Sequence, residues 1–313
     1  MKKVSILIPC FNEAEGLPML YDTLCGQNGL CNKLKEYEFE ILLINDGSKD
    51  NTLDVIKSYA EKDKRIKYIS LSRNFGKECA MLSGFDYAKG DCVVIMDADL
   101  QDPPMLIAEM LEYWKEGFED VYAKRKSRGK ESWLRKHLSL AYYSLLQKTS
   151  RFDVLKNVGD FRLLDRKCID ALRQMREKER YTKGMFAWIG FKKKEILFER
   201  GNRQTGKSAW HFADLFSLGI DGITSFTTAP LRFSTIIGFI VSIIAFLYMC
   251  WVLIKALIWG DPVAGYPSLM VIILFLGGIQ LLSLGIIGEY LGRVFNEAKG
   301  RPVYIIGETN VDK

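Results

Sequence analysis

Two aspartates and a glutamine follow a short apolar run near residue 95. Residues 93–96 are apolar and precede Asp97, Asp99 and Gln101, and two prolines at 103–104 end the segment. Such a run, rich in β-branched residues, predicts a buried strand. Alternate carboxylates with an amide oxygen are hard donors, suited to Mg²⁺ or Mn²⁺ that also holds phosphates. The competing interpretation of an Asp-x-Asp pattern is a solvated turn.

The segments that must position these side chains alternate between apolar strands and amphipathic helices. Strands are predicted over residues 4–8, 39–44, 66–71 and 93–96. The intervening helices are predicted from about 17 to 24, 52 to 60 and 76 to 88. This alternation predicts an α/β fold with a parallel, right-handed, doubly wound sheet.

Polar side chains follow three of the four predicted strands. Asn12 and Glu13 follow the first strand, Asp46 follows the second, and Asp97 and Asp99 follow the fourth. Open α/β sheets bind ligands at the carboxyl ends of their strands, so we expect a site at this edge. For Asp46, helix capping or a turn is the alternative. Neither a P-loop nor a glycine-rich dinucleotide fingerprint occurs, so any phosphate would be held by metal and basic side chains.

Two long uncharged stretches lie in the C-terminal third of the chain. They cover residues 233–254 and 262–288, and each exceeds the roughly 20 residues that a membrane-spanning helix needs. Basic residues flank the pair, with Arg232 before it and Arg293, Lys299 and Arg301 after it. By the positive-inside rule, both ends of this hairpin are expected in the cytoplasm. Residues 132–151 and 210–226 have amphipathic patterns that fit either an interfacial helix or a helix packed on the core.

The distribution of charge and cysteine indicates the class of binding partner and the cellular compartment. The net charge of +6 is concentrated in basic segments around residues 124–136 and 192–207. Basic segments face nucleic acid, anionic lipid or phosphate substrates, and no nucleic-acid module is present, so we expect membrane rather than nucleic acid as a partner. The seven cysteines are scattered without a metal-type pairing, which indicates free thiols in a reducing compartment.

Four ordered motifs resemble the family-2 inverting glycosyltransferases, and more narrowly the polyprenyl-phosphate glycosyltransferases. The motifs are Pro9-Cys10-Phe11-Asn12-Glu13, Asn45-Asp46-Gly47-Ser48, Ser72-Arg73-Asn74-Phe75-Gly76-Lys77-Glu78 and Asp97-Ala98-Asp99-Leu100-Gln101-Asp102-Pro103-Pro104. The resemblance covers essentially the whole chain. It implies a GT-A (Rossmann-like), mostly parallel sheet domain, followed by interfacial amphipathic helices and two transmembrane helices. The expected divisions are a cytosolic domain over 1–230, a hairpin over 231–292 and a cytosolic tail over 293–313.

The resemblance also implies roles for individual residues. Pro9, Glu13 and Asp46 would surround the base and ribose of a nucleotide sugar, with Asn12, Lys77 and Ala98 in the same donor site. Asp97, Asp99 and Gln101 would hold Mg²⁺ or Mn²⁺ on the donor diphosphate. The expected phosphate contacts of donor and acceptor are Arg125, Arg135 and Ser139, and the expected basic acceptor loop contains Arg203 and Lys207. Ala209 stands where the family usually has lysine, which leaves the role of this loop open.

Catalysis is expected from Arg125, Arg135 and Asp160. Because the second pKa of a phosphate lies near ~6, the acceptor is largely ionised at neutral pH and needs little base catalysis. Asp160 is therefore expected to orient groups, with a general-base role as the alternative.

The function implied is transfer of one sugar, with UDP-glucose as the lead donor, onto a polyprenyl phosphate such as undecaprenyl phosphate. The expected location is the cytoplasmic face of a bacterial inner membrane, in a multi-pass homo-oligomer with tetramer as the lead, for cell-surface glycan modification. Two alternatives stay open. A processive polysaccharide synthase would carry a Gln-x-x-Arg-Trp motif, which this sequence lacks. A membrane-tethered protein could bind a nucleotide sugar without turnover.

Overall fold

The computed structural model describes residues 1–126, 158–178, 180–199, 229–259 and 265–311. Its strands are β1 (Lys2–Cys10), β2 (Tyr37–Asn45), β3 (Ile66–Leu71), β4 (Cys92–Ile95), β5 (Asp120–Arg125), β6 (Val158–Asp165), β7 (Lys193–Phe198) and β8 (Ile306–Thr309). Its helices are α1 (Leu17–Cys25), α2 (Leu30–Lys33), α3 (Thr52–Lys62), α4 (Lys77–Tyr87), α5 (Leu106–Lys115), α6 (Arg166–Gln174), α7 (Thr182–Trp188), α8 (Ala229–Trp259) and α9 (Tyr266–Ala298).

The strands form one eight-stranded sheet in the order β7-β5-β6-β4-β1-β2-β3-β8. Strands β1 to β4 are mutually parallel where they pair, as the strand–helix alternation predicts. Outside these four strands, β6 runs antiparallel to both β4 and β5, and β8 runs antiparallel to β3. The strand–helix alternation of the first 100 residues did not predict these strands, but the resulting sheet is mostly parallel, as the family resemblance implies. The fold is therefore a mostly parallel, Rossmann-like sheet with antiparallel strands added outside the β4-β1-β2-β3 core.

The core explains why the central strands form. Alternate residues of β1, including Val4, Ile6 and Ile8, are fully buried in one cluster with apolar residues of α1 and α5. On the other face of β1, α4 packs very closely: a Cβ on Gly84 would lie 2.3 Å from a methyl carbon of Leu7. A strand buried on both faces is nearly continuous in apolar residues, as β1 is. This packing fixes the N-terminus of α4 at the carboxyl edge of the sheet.

The contacts divide the chain into two compact units. Met1–Gly219 with Pro302–Lys313 form one unit, and Ile220–Arg301 form the other. The C-terminal residues thus return to the first unit, where β8 pairs with β3 and the Tyr304 hydroxyl donates a hydrogen bond to Asp86 in α4. Strand β8 lies within residues 293–313, for which a separate cytosolic tail and no strand had been predicted.

In the second unit, α8 and α9 pack against each other. Among the described residues, one segment, Phe275–Ala298, is long and apolar enough to cross a bilayer by length and composition, and none of it is buried. The apolar stretch Phe233–Tyr248 is shorter. The expected pair of membrane-spanning helices is therefore not confirmed and stays a prediction.

Candidate functional site

A cavity of about 270 Å³ opens at the carboxyl ends of β1, β2 and β4. Its lining includes seven of the residues that the sequence analysis placed in a donor site, namely Pro9, Glu13, Asp46, Lys77, Asp97, Ala98 and Asp99. Four more lining residues had no predicted role: Cys10, Phe11, Asn74 and Gly76. The strand ends thus bring these side chains to one place, as parallel topology requires.

Asp46 forms the wall of the cavity next to the loop that leads into α4. Its carboxylate accepts hydrogen bonds from the backbone N–H groups of Phe75 at 2.7 Å and Gly76 at 2.9 Å. Burial raises the pKa of Asp46, and these two hydrogen bonds oppose that effect. Gly76 has a φ of +94°, a conformation that side chains with a Cβ rarely adopt. Asp46 therefore braces a turn as well as lining the cavity.

Asn12 connects two loops at the edge of the sheet. Its amide oxygen accepts a hydrogen bond from the backbone N–H of Lys49 at 2.8 Å, and its own N–H donates to Ser48 at 3.0 Å. Its φ of +55° is a left-handed conformation that asparagine tolerates. The structure does not place Asn12 among the residues that line the cavity, so its described contacts fix the loop positions.

Lys77, the first residue of α4, joins two carboxylates from different parts of the sheet. Its Nζ lies 2.6 Å from Oδ1 of Asp97, just after β4, and 2.6 Å from Oδ2 of Asp160, within β6. Burial by itself would raise the pKa of Asp160, but the Lys77 charge and hydrogen bond, assisted by Lys183 and Arg162, lower it to about 2. Burial by itself would lower the pKa of Lys77, but the same two carboxylates raise it. Asp160 is consequently held as a carboxylate.

Strand β6 presents Asp160 and Arg162 on the same face, because side chains alternate along a strand. Arg162 is 1% exposed and pairs with Asp120 of β5, which is 0% exposed, at 3.2 Å. Its guanidinium also lies 3.9 Å from the centre of the Phe186 ring. At the end of β5, Nη2 of Arg125 lies 3.7 Å from the position of a Cβ on Gly159. The structure thus brings Arg125 beside the strand that carries Asp160.

The predicted metal ligands divide into two groups. Asp97 and Asp99 line the cavity, whereas Gln101 is 8% exposed and outside its lining. The backbone N–H of Gln101 donates to Oδ1 of Asp99 at 3.2 Å. In the part of the chain that the structure describes, no group of three or more His, Cys, Asp or Glu is arranged for a metal ion.

Two carboxylates nevertheless fit a magnesium-type ion. Such ions are commonly bound by one or two protein carboxylates, substrate phosphates and water. In the described part of the chain, Oδ1 of Asp160 is also buried without a hydrogen-bond partner. A further cation or a hydrogen-bond donor would therefore be stabilised next to it. The carboxylate oxygens of Asp97 and Asp99 therefore suit a divalent cation that binds together with a phosphate ligand.

Glu78 is a site-adjacent residue to which the sequence analysis gave no role, although it ends one of the four motifs. Its carboxyl accepts a hydrogen bond from the backbone N–H of Thr182 at 3.0 Å. Burial, followed by the Asp160 charge, raises the pKa of Glu78 to about 7, against the opposing effect of Thr182 and Lys77. The motif in the sequence indicated this segment, but only the structure shows the hydrogen bond from Thr182 and the buried surroundings of the Glu78 carboxyl.

Other predicted residues lie outside the described residues. They are Arg135, Ser139, Arg203 and Lys207, together with the amphipathic segments 132–151 and 210–226. Their roles stay predictions.

Comparison with known proteins identifies the family to which this fold and site belong. Residues 5–173 match the family model described as glycosyl transferase family 2, and residues 229–294 match that described as GtrB C-terminal hairpin. The chain is 43% identical over 306 residues to a Synechocystis protein named as an uncharacterized glycosyltransferase, covering 98% of this chain and 95% of that one. It is 42% identical over 308 residues to the SfII prophage-derived bactoprenol glucosyl transferase of Shigella flexneri, covering 98% of each chain.

Among solved structures, glucosyl-3-phosphoglycerate synthase of Mycobacterium tuberculosis, in complex with Mn²⁺, UDP-glucose and phosphoglyceric acid, matches with a TM-score of 0.45 and 16% identity. The match covers 71% of this chain and 78% of that one.

Proposed function

The chain belongs to glycosyl transferase family 2 and is a hexosyltransferase, and from that premise we propose that it moves one sugar onto a polyprenyl phosphate. The lead donor is UDP-glucose and the lead acceptor is undecaprenyl phosphate. The observation that carries this proposal is the match, over 98% of both chains, to a protein named for glucosyl transfer to bactoprenol. The match of residues 229–294 to the GtrB C-terminal hairpin model extends the similarity to known families over the two long helices.

The donor occupies the cavity at the carboxyl edge of the sheet. Pro9, Glu13 and Asp46, which line this cavity, would surround its nucleoside, and the carboxylates of Asp97 and Asp99 would hold Mg²⁺ or Mn²⁺. The bound cation supplies charge neutralisation to the departing diphosphate. Gln101 acts through its backbone N–H, which orients Asp99. Lys77 adds the positive charge of a side chain that the fold places within the same cavity.

The acceptor phosphate attacks from the side of β6. It is largely dianionic at neutral pH because its second pKa lies near ~6. Asp160, whose pKa is lowered to about 2, is a far weaker base than that phosphate, and base catalysis is most efficient when the pKa lies near the working pH. This contrast supports an orienting role for Asp160, and Arg125 is placed to contact a phosphate next to it.

Membrane association follows from the chemistry of the acceptor. A polyprenyl phosphate keeps its head group at the interface and its tail in the bilayer, so the enzyme must work at that depth. The apolar segment Phe275–Ala298 supports anchoring. We propose insertion of both long helices, with the catalytic domain and both termini in the cytoplasm of a bacterium, and a homo-oligomer assembled through the helices.

A donor screen tests the proposal. The full-length protein in detergent is incubated with Mg²⁺ or Mn²⁺, undecaprenyl phosphate and one radiolabelled nucleotide sugar at a time, and label in the organic phase is counted. We expect label from UDP-glucose, and none when the divalent cation is chelated. Polymeric product would favour a processive synthase instead. Nucleotide binding without label from any donor would overturn the assignment in favour of a tethered binding protein.

A further inference from the structure

The Lys77 ammonium group stands in an acidic environment. Four of the residues that line the cavity are acidic, namely Glu13, Asp46, Asp97 and Asp99. Among the described residues of this lining, Lys77 is the one with a basic side chain. Its two ion-pair partners, Asp97 and Asp160, are 33% and 13% exposed, and Lys77 itself is 39% exposed. Lys77 therefore neutralises a cluster of carboxylates that would otherwise repel one another.

The Lys77 ammonium group and the proposed divalent cation would both neutralise the Asp97 carboxylate. Asp97 directs Oδ1 to Lys77 at 2.6 Å, and the proposed function requires the same carboxylate as a ligand of the divalent cation. Two cations that share one carboxylate repel each other, and in a partly screened site this repulsion is substantial. A donor diphosphate brings negative charge that allows both cations to remain.

We infer that Lys77 competes with the divalent cation for Asp97, so that the cation binds firmly only together with the nucleotide. This inference rests on the proposed function. In the nucleotide-free protein, Lys77 holds the Asp97 carboxylate and balances its charge. When the nucleotide enters with its cation, Lys77 yields Asp97 to the cation and keeps its ion pair with Asp160. Lys77 is thus a positioning residue that makes metal binding depend on the donor.

The test is a titration of Mn²⁺ against the full-length protein in detergent, without nucleotide and then with UDP, with free Mn²⁺ measured by electron paramagnetic resonance. Without nucleotide, Lys77→Gln should bind Mn²⁺ about tenfold more tightly than the wild type, equivalent to about 1.4 kcal/mol. Addition of UDP should tighten Mn²⁺ binding strongly in the wild type and much less in the variant. Lys77→Met is measured in parallel in case the amide variant does not fold, with the same expectation.

Lys183→Gln is the matched control. Lys183 also acts electrostatically on Asp160, but it is exposed on α7, so its loss removes the same charge without freeing Asp97. This control should bind Mn²⁺ as the wild type does. Unchanged Mn²⁺ affinity in both Lys77 variants, or an equal gain in Lys183→Gln, would overturn the inference. Because the titration uses Mn²⁺ and UDP alone, it separates this inference from a failure of sugar transfer in the donor screen.

Discussion

Arg162 and Asp120 form an ion pair that is almost completely buried, with 3.2 Å between Nη1 and Oδ2. The pair joins β5 to β6 two residues from Asp160. Burial raises the pKa of Asp120 and the Arg162 charge opposes this, so the Asp120 carboxylate depends on Arg162 to remain charged. The position of Asp160 in the site therefore depends on a contact outside it.

Arg162→Met should destabilise the protein strongly, because it leaves the Asp120 carboxylate buried without its partner. The expected loss is about 3–5 kcal/mol, measured by urea unfolding of the full chain. Lys124→Met is the control, since it breaks a 2.8 Å ion pair with Glu195 that is 34% and 44% exposed. Such an exposed pair contributes about 0–1 kcal/mol. Similar losses from the two substitutions would contradict the special role of the buried pair.

Glu78→Gln should stabilise the protein in a pH-dependent manner. Burial and Asp160 raise the pKa of Glu78 to about 7 in the folded state, so the folded protein binds this proton more tightly than the unfolded chain. Stability from this group is therefore complete at low pH and is lost as pH rises through the window between about 4.5 and 7. The neutral amide avoids the loss and still accepts the hydrogen bond from Thr182.

The expected gain is about 2–3 kcal/mol at pH 8 and close to zero near pH 4, measured by unfolding at several pH values. Glu61→Gln on the exposed side of α3 should leave the pH profile of the wild type unchanged. A stability difference that is constant from pH 4 to pH 8 would show that the Glu78 carboxyl does not titrate as described.

Asp97→Ala and Asp99→Ala should each reduce sugar transfer by about 10³-fold or more, because each removes a carboxylate from the proposed cation site. Both variants should stay folded, since these side chains are only partly buried. Asp91→Ala is the matched control, because Asp91 is exposed at the other end of β4. Its loss removes one hydrogen bond from Lys3 and should leave transfer within about twofold. Full activity in either site variant would remove the basis for the cation site.

Gly47→Ala should weaken both stability and UDP binding. Gly47 has a φ of +63°, and a Cβ there would lie 2.3 Å from the carbonyl carbon of Arg73. The loop that carries the N–H groups bound to Asp46 would have to move. Gly117→Ala controls for backbone strain alone, since its φ is +89° but nothing lies within 4 Å of the Cβ position. We expect UDP affinity to fall for Gly47→Ala and to stay constant for Gly117→Ala, measured by calorimetry.

Local patterns were sufficient to predict the central strands. Each of β1 to β4 is an apolar run flanked by polar or turn residues, and burial follows directly from such a run. The acidic ends of β1, β2 and β4 could be predicted to meet, because parallel strands end at one edge. The antiparallel strands β6 and β8 were not predicted individually, because the later strands lack this local signal. In β6, Asp160 and Arg162 interrupt the apolar pattern, and Arg162 is buried only because Asp120, 42 residues earlier, neutralises it.

The contacts of the site were less predictable than its location. The Lys77 ion pairs join residues separated by 20 and 83 positions. The periodicity of a single helix or strand cannot predict such long-range contacts, because they depend on how α4 packs on the sheet. The motif that contains Lys77 marked it as a donor-site residue, but its attachment to Asp160 required the register of β6 against β4.

Strand β8 has a consequence for the path of the chain. The sheet contains β7, which precedes the two long helices in sequence, and β8, which follows them. A chain that leaves a sheet and later rejoins it must end on the side of the bilayer where it started, because the sheet lies on one side only. If the segment between β7 and β8 enters a bilayer, as proposed, its crossings are therefore even in number, and the proposed insertion of both long helices satisfies this condition.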